Sequence, residues 1–243
     1  MKNNRLIPIS ILSLTIIVSV IIFSNAIKNR NESMNVISVT GMSERNFESD
    51  LIVWKSQFTV KDMNLTTAYA ELKKQSEATR QFLETRGVNK TEMTFSAVEI
   101  TKEFVTTTYK ENSISTFDGY RLTQQISISS SNVSKIESIS REITELINSG
   151  IEITSLAPEY YYTKLSDLKI KMLAEASQDG YIRAKTITDN GNGKLSEMMN
   201  SSMGVFQIVA QNSSEDYSWG GSFNTSSKKK TATITVKLQY KVK

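Results

Sequence analysis

An α+β fold is predicted. It is an antiparallel sheet with a split β-α-β-β-α-β core covered by helices, plus a further long helix and C-terminal strands, after an N-terminal membrane-spanning or signal helix. Three observations carry this. Lys164 to Asn190 reads as one amphipathic helix, with Leu165, Leu168, Met172, Leu173, Ala176, Gly180, Ala184 and Ile187 on one stripe near the 3.6 period. Leu51 to Tyr162 alternates strand-period and helix-period segments in the order β-α-β-β-α-β. Near the C-terminus, Ala232, Ile234, Val236, Leu238, Tyr240 and Val242 alternate with Thr231, Thr233, Thr235, Lys237, Gln239 and Lys241, the pattern of a strand with one dry face.

The elements follow in order. Lys2 and Arg5 precede an uncharged, apolar run from Leu6 to Ala26. About 20 apolar residues span a bilayer, so residues 6–26 read as a membrane anchor. Ser24-Asn25-Ala26 is small-x-small, as a signal peptidase requires, so a cleaved signal is the alternative. Both readings place the rest of the chain outside the cytoplasm. The resulting division is an anchor or signal over 1–27, a tether over 28–35, and one α+β domain over 36–243.

Val36 to Thr40 is a short strand ending at Gly41, and Leu51 to Val60 is a strand with Ile52, Trp54, Phe58 and Val60 inward. Asn64 or Asp62 caps a helix running to Arg86 with Leu65, Ala68, Leu72, Phe82 and Leu83 inward, and Gly87 stops it. Met93 to Val105 is a strand whose apolar phase shifts, which predicts a bulge near Ala97. Asn112 to Gly119 reads as a turn, and Tyr120 to Ser129 as the returning strand. Asn132 or Ser131 caps a helix bearing Val133, Ile136, Ile139, Ile143, Leu146 and Ile147, closed by Gly150. Ile151 to Tyr162 is a strand that Pro158 interrupts.

The long helix comes next. Its second half offers only Ala176, Gly180 and Ala184 on the inward stripe, which lets its backbone lie close to what it covers. Gly180 costs about 1 kcal/mol of helix propensity against Ala, so a tight contact there is expected. The helix is read as the lid of a sheet built by the chain before and after it. Lys194 to Ser202 is expected to add a helical turn or two, Val205 to Ala210 a short strand, and Gln211 to Lys230 a long polar loop.

Four of these stretches resemble the SIMPL-domain family of bacterial envelope proteins. They are Ile37-Ser-Val-Thr-Gly41, Gly119-Tyr120 before the strand RLTQQISI, Leu165 to Ile187 with Ala176, Ala184 and Lys185, and Lys230 to Val242. The resemblance spans roughly residues 36–243. Met42-Ser43 departs from it where another glycine is frequent, and Gly180 where alanine is common. It implies an exported α+β domain, often homo-oligomeric, with no catalytic residues to carry over.

Composition narrows the chemistry. The chain has no histidine and no cysteine, which removes disulfides, thiol catalysis, Cys/His metal sites and histidine-based triads. A net charge of +4 without dense basic clustering argues against nucleic acid as a partner. Glu99, Glu103, Glu142, Glu145 and Asp167 are the available acid–base groups and form no motif. Asp189-Asn-Gly-Asn-Gly193 lacks the glutamate of a calcium loop and reads as a helix-ending turn. No catalytic, cofactor or metal residue is assigned. Contact residues for a partner or ligand are Tyr160, Tyr161 and Tyr162 on a strand, and Tyr217 and Trp219 in the polar loop, because exposed aromatics anchor interfaces.

The expected function is that of a non-enzymatic, membrane-tethered envelope protein that self-associates or binds a partner. A small-molecule or peptide binder using the tyrosine run or the Tyr217–Trp219 loop is the alternative, and an enzyme using carboxylates or hydroxyls alone ranks last.

Overall fold

In the computed structural model the described backbone covers residues 6–32, 35–109, 112–214, 218 and 220–243, and the described side chains are those of 12–27, 35–108, 113–214, 218 and 220–243. Helix α1 (Leu6–Glu32) is apolar on all sides over 12–27. Among the described residues no helix is long and apolar enough to cross a membrane. The domain behind α1 is built on two antiparallel sheets.

The split β-α-β-β-α-β unit forms the first. Its strands are β2 (Leu51–Asp62), β3 (Met93–Phe95), β4 (Glu99–Tyr109), β5 (Asn112–Ser130), β6 (Ile153–Ser155) and β7 (Glu159–Tyr161). β5 and β2 pair at the centre, β3 and β4 flank β5, and β6 and β7 flank β2. Helices α2 (Leu65–Thr85) and α3 (Val133–Glu142) pack on one face against Ile52, Trp54, Phe58, Leu122, Ile126 and Ile128. Asn64 caps α2 by accepting from the N–H of Thr66 and Thr67, and Gly87 takes φ +80° just past its end. Leu65, expected inward, is exposed, and Gln75 and Thr79 take buried positions on α2 instead. Polar atoms inside this core are paired: Trp54 Nε1 donates to Ser155 Oγ, which donates to the carbonyl of Ser140.

The phase shift near Ala97 is a bulge. Phe95 faces Ile126 and Glu99 faces Thr123, so Ser96, Ala97 and Val98 stand opposite only two residues. The stretch from Asn112 to Gly119 corrects the expected turn: it is strand, paired with β4 to the end of the hairpin. Its Ile, Ser, Thr and Phe content suits a strand as well as a loop, and pairing with β4 decides between them. Gly119 (φ +113°) lies so close to β2 that a Cβ there would sit 2.9 Å from the Asp62 carbonyl oxygen.

The second sheet comprises β1 (Val36–Glu48), β8 (Leu195–Met203), β9 (Gln207–Ala210) and β10 (Lys229–Val242). β10 is central, with β1 on one side and β8 and β9 on the other. Two expectations are corrected here. β1 runs through Gly41 rather than ending there, and 195–203 is strand rather than helix, because both complete their ladders on β10. Helix α4 (Leu165–Asn190) covers β1 and β10 with Leu168, Met172, Ala176, Gly180, Ala184 and Thr188. Ile187, placed inward from its spacing, is exposed; Thr188 holds the last inward position and donates to the Ala184 carbonyl.

The sheets meet at a polar seam. Tyr160 N–H donates to the Thr225 carbonyl, and buried Lys230 donates through Nζ to the carbonyls of Tyr160 and Asn224. Asp50, in the β1–β2 turn, accepts from the N–H and hydroxyl of Thr163 ahead of α4.

Candidate contact surfaces and cleft

The tyrosine run is divided by strand alternation. Tyr160 is buried in the first core, and its hydroxyl donates to Glu137 Oε1 at 2.8 Å. Burial, and then that hydrogen bond, push its phenol up to about 12. Tyr161 is partly exposed, and its hydroxyl donates to Glu159. Tyr162 packs its ring 4.9 Å from that of Phe47 beside the second core. The three residues therefore span the seam. Tyr217 and Trp219 lie outside the described residues, while Ser218 between them is described.

A surface that the sequence reading did not single out lies at the end of the β4–β5 hairpin. β2 pairs with β5 only as far as Asp62–Tyr120. Beyond it, six further β4–β5 pairs continue from Phe104–Phe117 to Tyr109–Asn112, an arm of roughly 20 Å at 3.4 Å per residue. No third strand joins it among the described residues. Phe104 (56% exposed) is on one face, and Val105 (50%) and Ile114 (65%) are on the other. A two-stranded ribbon in water is marginal by itself. The clue in the sequence was the continued β-branched and aromatic content through Thr106-Thr-Thr and Ile114, which the turn reading set aside.

Charge sits at the root of the arm. Glu103 is held between Arg121 and Lys61, and Lys61 also reaches Asp118. The hydrogen bond from Arg121, then that from Lys61, lower the Glu103 carboxyl to about 2. This is an ion-pair network, and its geometry offers no free base.

The strand edges differ in protection. Asp179 on α4 accepts the N–H of Met42 at 2.9 Å, and Glu175 binds Ser43 Oγ and the Arg45 guanidinium, so α4 covers the middle of the outer β1 edge. These bonds hold both carboxyls below their ordinary range, the Met42 N–H acting first on Asp179 and Arg45 first on Glu175. The outer edges of β4 and β8 pair with no strand among the described residues. β8 exposes Met198, Met199 and Met203 and carries Glu197 as its single charge.

A cleft of ≈ 370 Å³ opens on the face of the second sheet away from α4. Met42, Val205 and Ile234 supply apolar walls, with Gln207, Ser218, Thr233 and Thr235 around them. Gly204 lets the chain fold this tightly over β10: a Cβ there would meet Thr235 Oγ1 at 2.3 Å.

The remaining acidic groups are engaged or separate. Glu142 and Glu145 both bind Arg86, Asp167 is exposed in the first turn of α4, and Asp189 pairs with Lys185. Among the described residues no three acidic side chains converge to hold a metal ion.

The model of the SIMPL family, described as a protein of unknown function (DUF541), matches residues 37–240. No curated protein matches the chain.

Proposed function

The chain belongs to the SIMPL family, and from that premise we propose that it is a non-enzymatic protein of the bacterial cell envelope that assembles with further copies of itself. Residues 6–26 hold it in the inner membrane, with the domain outside the cytoplasm; cleavage after Ala26, leaving a periplasmic or secreted domain, is the alternative. The uniformly apolar surface of α1 over 12–27 supports an export segment. The absence of His and Cys, together with carboxylates committed to cations and N–H groups, supports a scaffold rather than a catalyst.

The observation that carries the assembly reading is the β4–β5 arm. It presents Phe104 on one face and Val105 and Ile114 on the other, without a covering layer. Burying such side chains contributes about 25 cal/mol per Å² of apolar surface, and the open edge of β4 adds backbone hydrogen bonds to a joining strand. A different envelope protein on the same arm is the competing occupant. Light scattering after size exclusion, on the full chain in mild detergent, tests the reading. A mass of several chains after correction for detergent is expected, and a strict monomer at high protein concentration would reject it.

A further inference from the structure

Thr233 is 7% exposed, lines the cleft beneath Gly204 and Val205, and its Oγ1 is buried with no hydrogen-bond partner. The neighbouring polar side chain cannot serve it. Gln207 sits directly opposite Thr233 on β9, but its Nε2 donates to the Ser218 carbonyl at 2.7 Å and its Oε1 accepts from the Ser222 N–H at 2.6 Å. A buried hydroxyl without a partner is costly and uncommon in folded proteins. Elsewhere in the same sheet such groups are met: Thr188 Oγ1 donates to the Ala184 carbonyl, and Ser43 Oγ donates to Glu175.

The walls define what would satisfy it. No charged residue lines the cleft, so a charged ligand would lose its hydration without compensation. Met42, Val205 and Ile234 provide apolar contact, and Met42 adapts its shape readily. A volume of ≈ 370 Å³ falls within the range of small-molecule sites. We infer that this cleft is a binding site for a small, uncharged, mainly apolar molecule bearing one N–H or O–H group, which hydrogen-bonds Thr233 Oγ1. The site is independent of the assembly arm, since it lies on the other sheet. None of its residues was picked out by sequence pattern, because Thr233 occupies the wet phase of the β10 alternation and is buried only by the crossing chain at 204–207.

Indole, an uncharged ring with one N–H, is the probe, and 1-methylindole, which lacks that donor, is its control. Methyl NMR of the full chain should show shifts at Met42, Val205 and Ile234 on adding indole. Indole should bind about fivefold more tightly than 1-methylindole, as expected for one neutral hydrogen bond. Thr233→Val should abolish that preference while melting at the same or a higher temperature. Val205→Trp should fill the cleft and remove binding of both probes. The inference is overturned if neither probe shifts these methyls at millimolar concentration, or if Val205→Trp binds as the unmodified protein does. It is also overturned if a folded Thr233→Val variant still prefers indole. Assembly state does not enter this readout, so a monomer that binds indole would separate the two readings.

Discussion

The backbone of Gly41 on β1 lies directly against that of Gly180 on α4. A Cβ on Gly41 would stand 2.0 Å from the Ala176 carbonyl oxygen and 2.5 Å from the Gly180 nitrogen. A Cβ on Gly180 would meet the Leu238 side chain at 2.7 Å and the Gly41 backbone at 3.3 Å or more. The two glycines are thus not equivalent. One faces rigid main chain; the other faces chiefly the end of a flexible side chain.

Gly41→Ala should therefore destabilise by about 3 kcal/mol, the upper part of the usual range for overpacking, and lower the melting temperature by roughly 6–12 °C. Gly180→Ala regains about 1 kcal/mol of helix propensity, which offsets much of its clash. Its melting temperature should stay within a few degrees of the unmodified protein. Thermal unfolding of both variants, followed by circular dichroism, checks the order.

Replacing Ile114 by Asn, or Phe104 by Ser, should weaken assembly without a loss of stability. Both side chains are more than half exposed, so folding gains little from them. Sedimentation should shift toward smaller species while the melting temperature holds. An unchanged mass for both variants would remove the arm from the interface.

Glu103 is fixed by Arg121 and Lys61 and ionises at about 2 in the folded chain, against an ordinary 4.5. A depressed carboxyl contributes stability that is present above pH 4.5 and lost as pH falls from 4.5 toward 2. Because the group is solvent-facing, the effect is modest and screened by salt. The difference in urea midpoint between the unmodified protein and Glu103→Gln should shrink over that window and shrink further in high salt.

Tyr160 behaves in the opposite sense. Its phenol is raised from 10.0 to about 12 by burial and by Glu137. The stability this represents is complete below pH 10 and is lost as pH rises through 12. Absorbance titration should show one tyrosine fewer ionising near pH 10 than in Tyr160→Phe plus one. Tyr160→Phe should cost about 1–2 kcal/mol in urea unfolding, the size of a hydrogen bond to a carboxylate.

Asn64→Ala removes the side chain that accepts from Thr66 and Thr67 at the start of α2. A loss of about 1 kcal/mol is expected, read as an earlier urea midpoint with an unchanged slope.

Much of the fold was legible because its determinants are local. The split order from Leu51 to Tyr162, the capping by Asn64, the stops at Gly87 and Gly150, and the bulge by Ala97 each follow from residues near in sequence. The small-residue stripe of α4 announced a close contact, although it could not name Gly41, more than 130 positions away, as the surface beneath. The errors share one cause. Asn112 to Gly119 and Lys194 to Ser202 have mixed propensity, and each became strand because β4 or β10 offered a ladder to join. Period alone also placed Ile187 inward, whereas packing on β10 selected Thr188.

Function was less legible for the same reason. The sequence by itself determined an exported α+β chain with an apolar leader, no histidine or cysteine chemistry, and membership of one family, since composition and periodicity do not depend on which segments meet. Tertiary structure alone decided that Tyr160 is internal, that the β4–β5 arm stands uncovered, and that Thr233 is shut in with an unmet hydroxyl. Exposure and hydrogen-bond satisfaction belong to a residue's neighbours in space, and those are set only when distant strands pair.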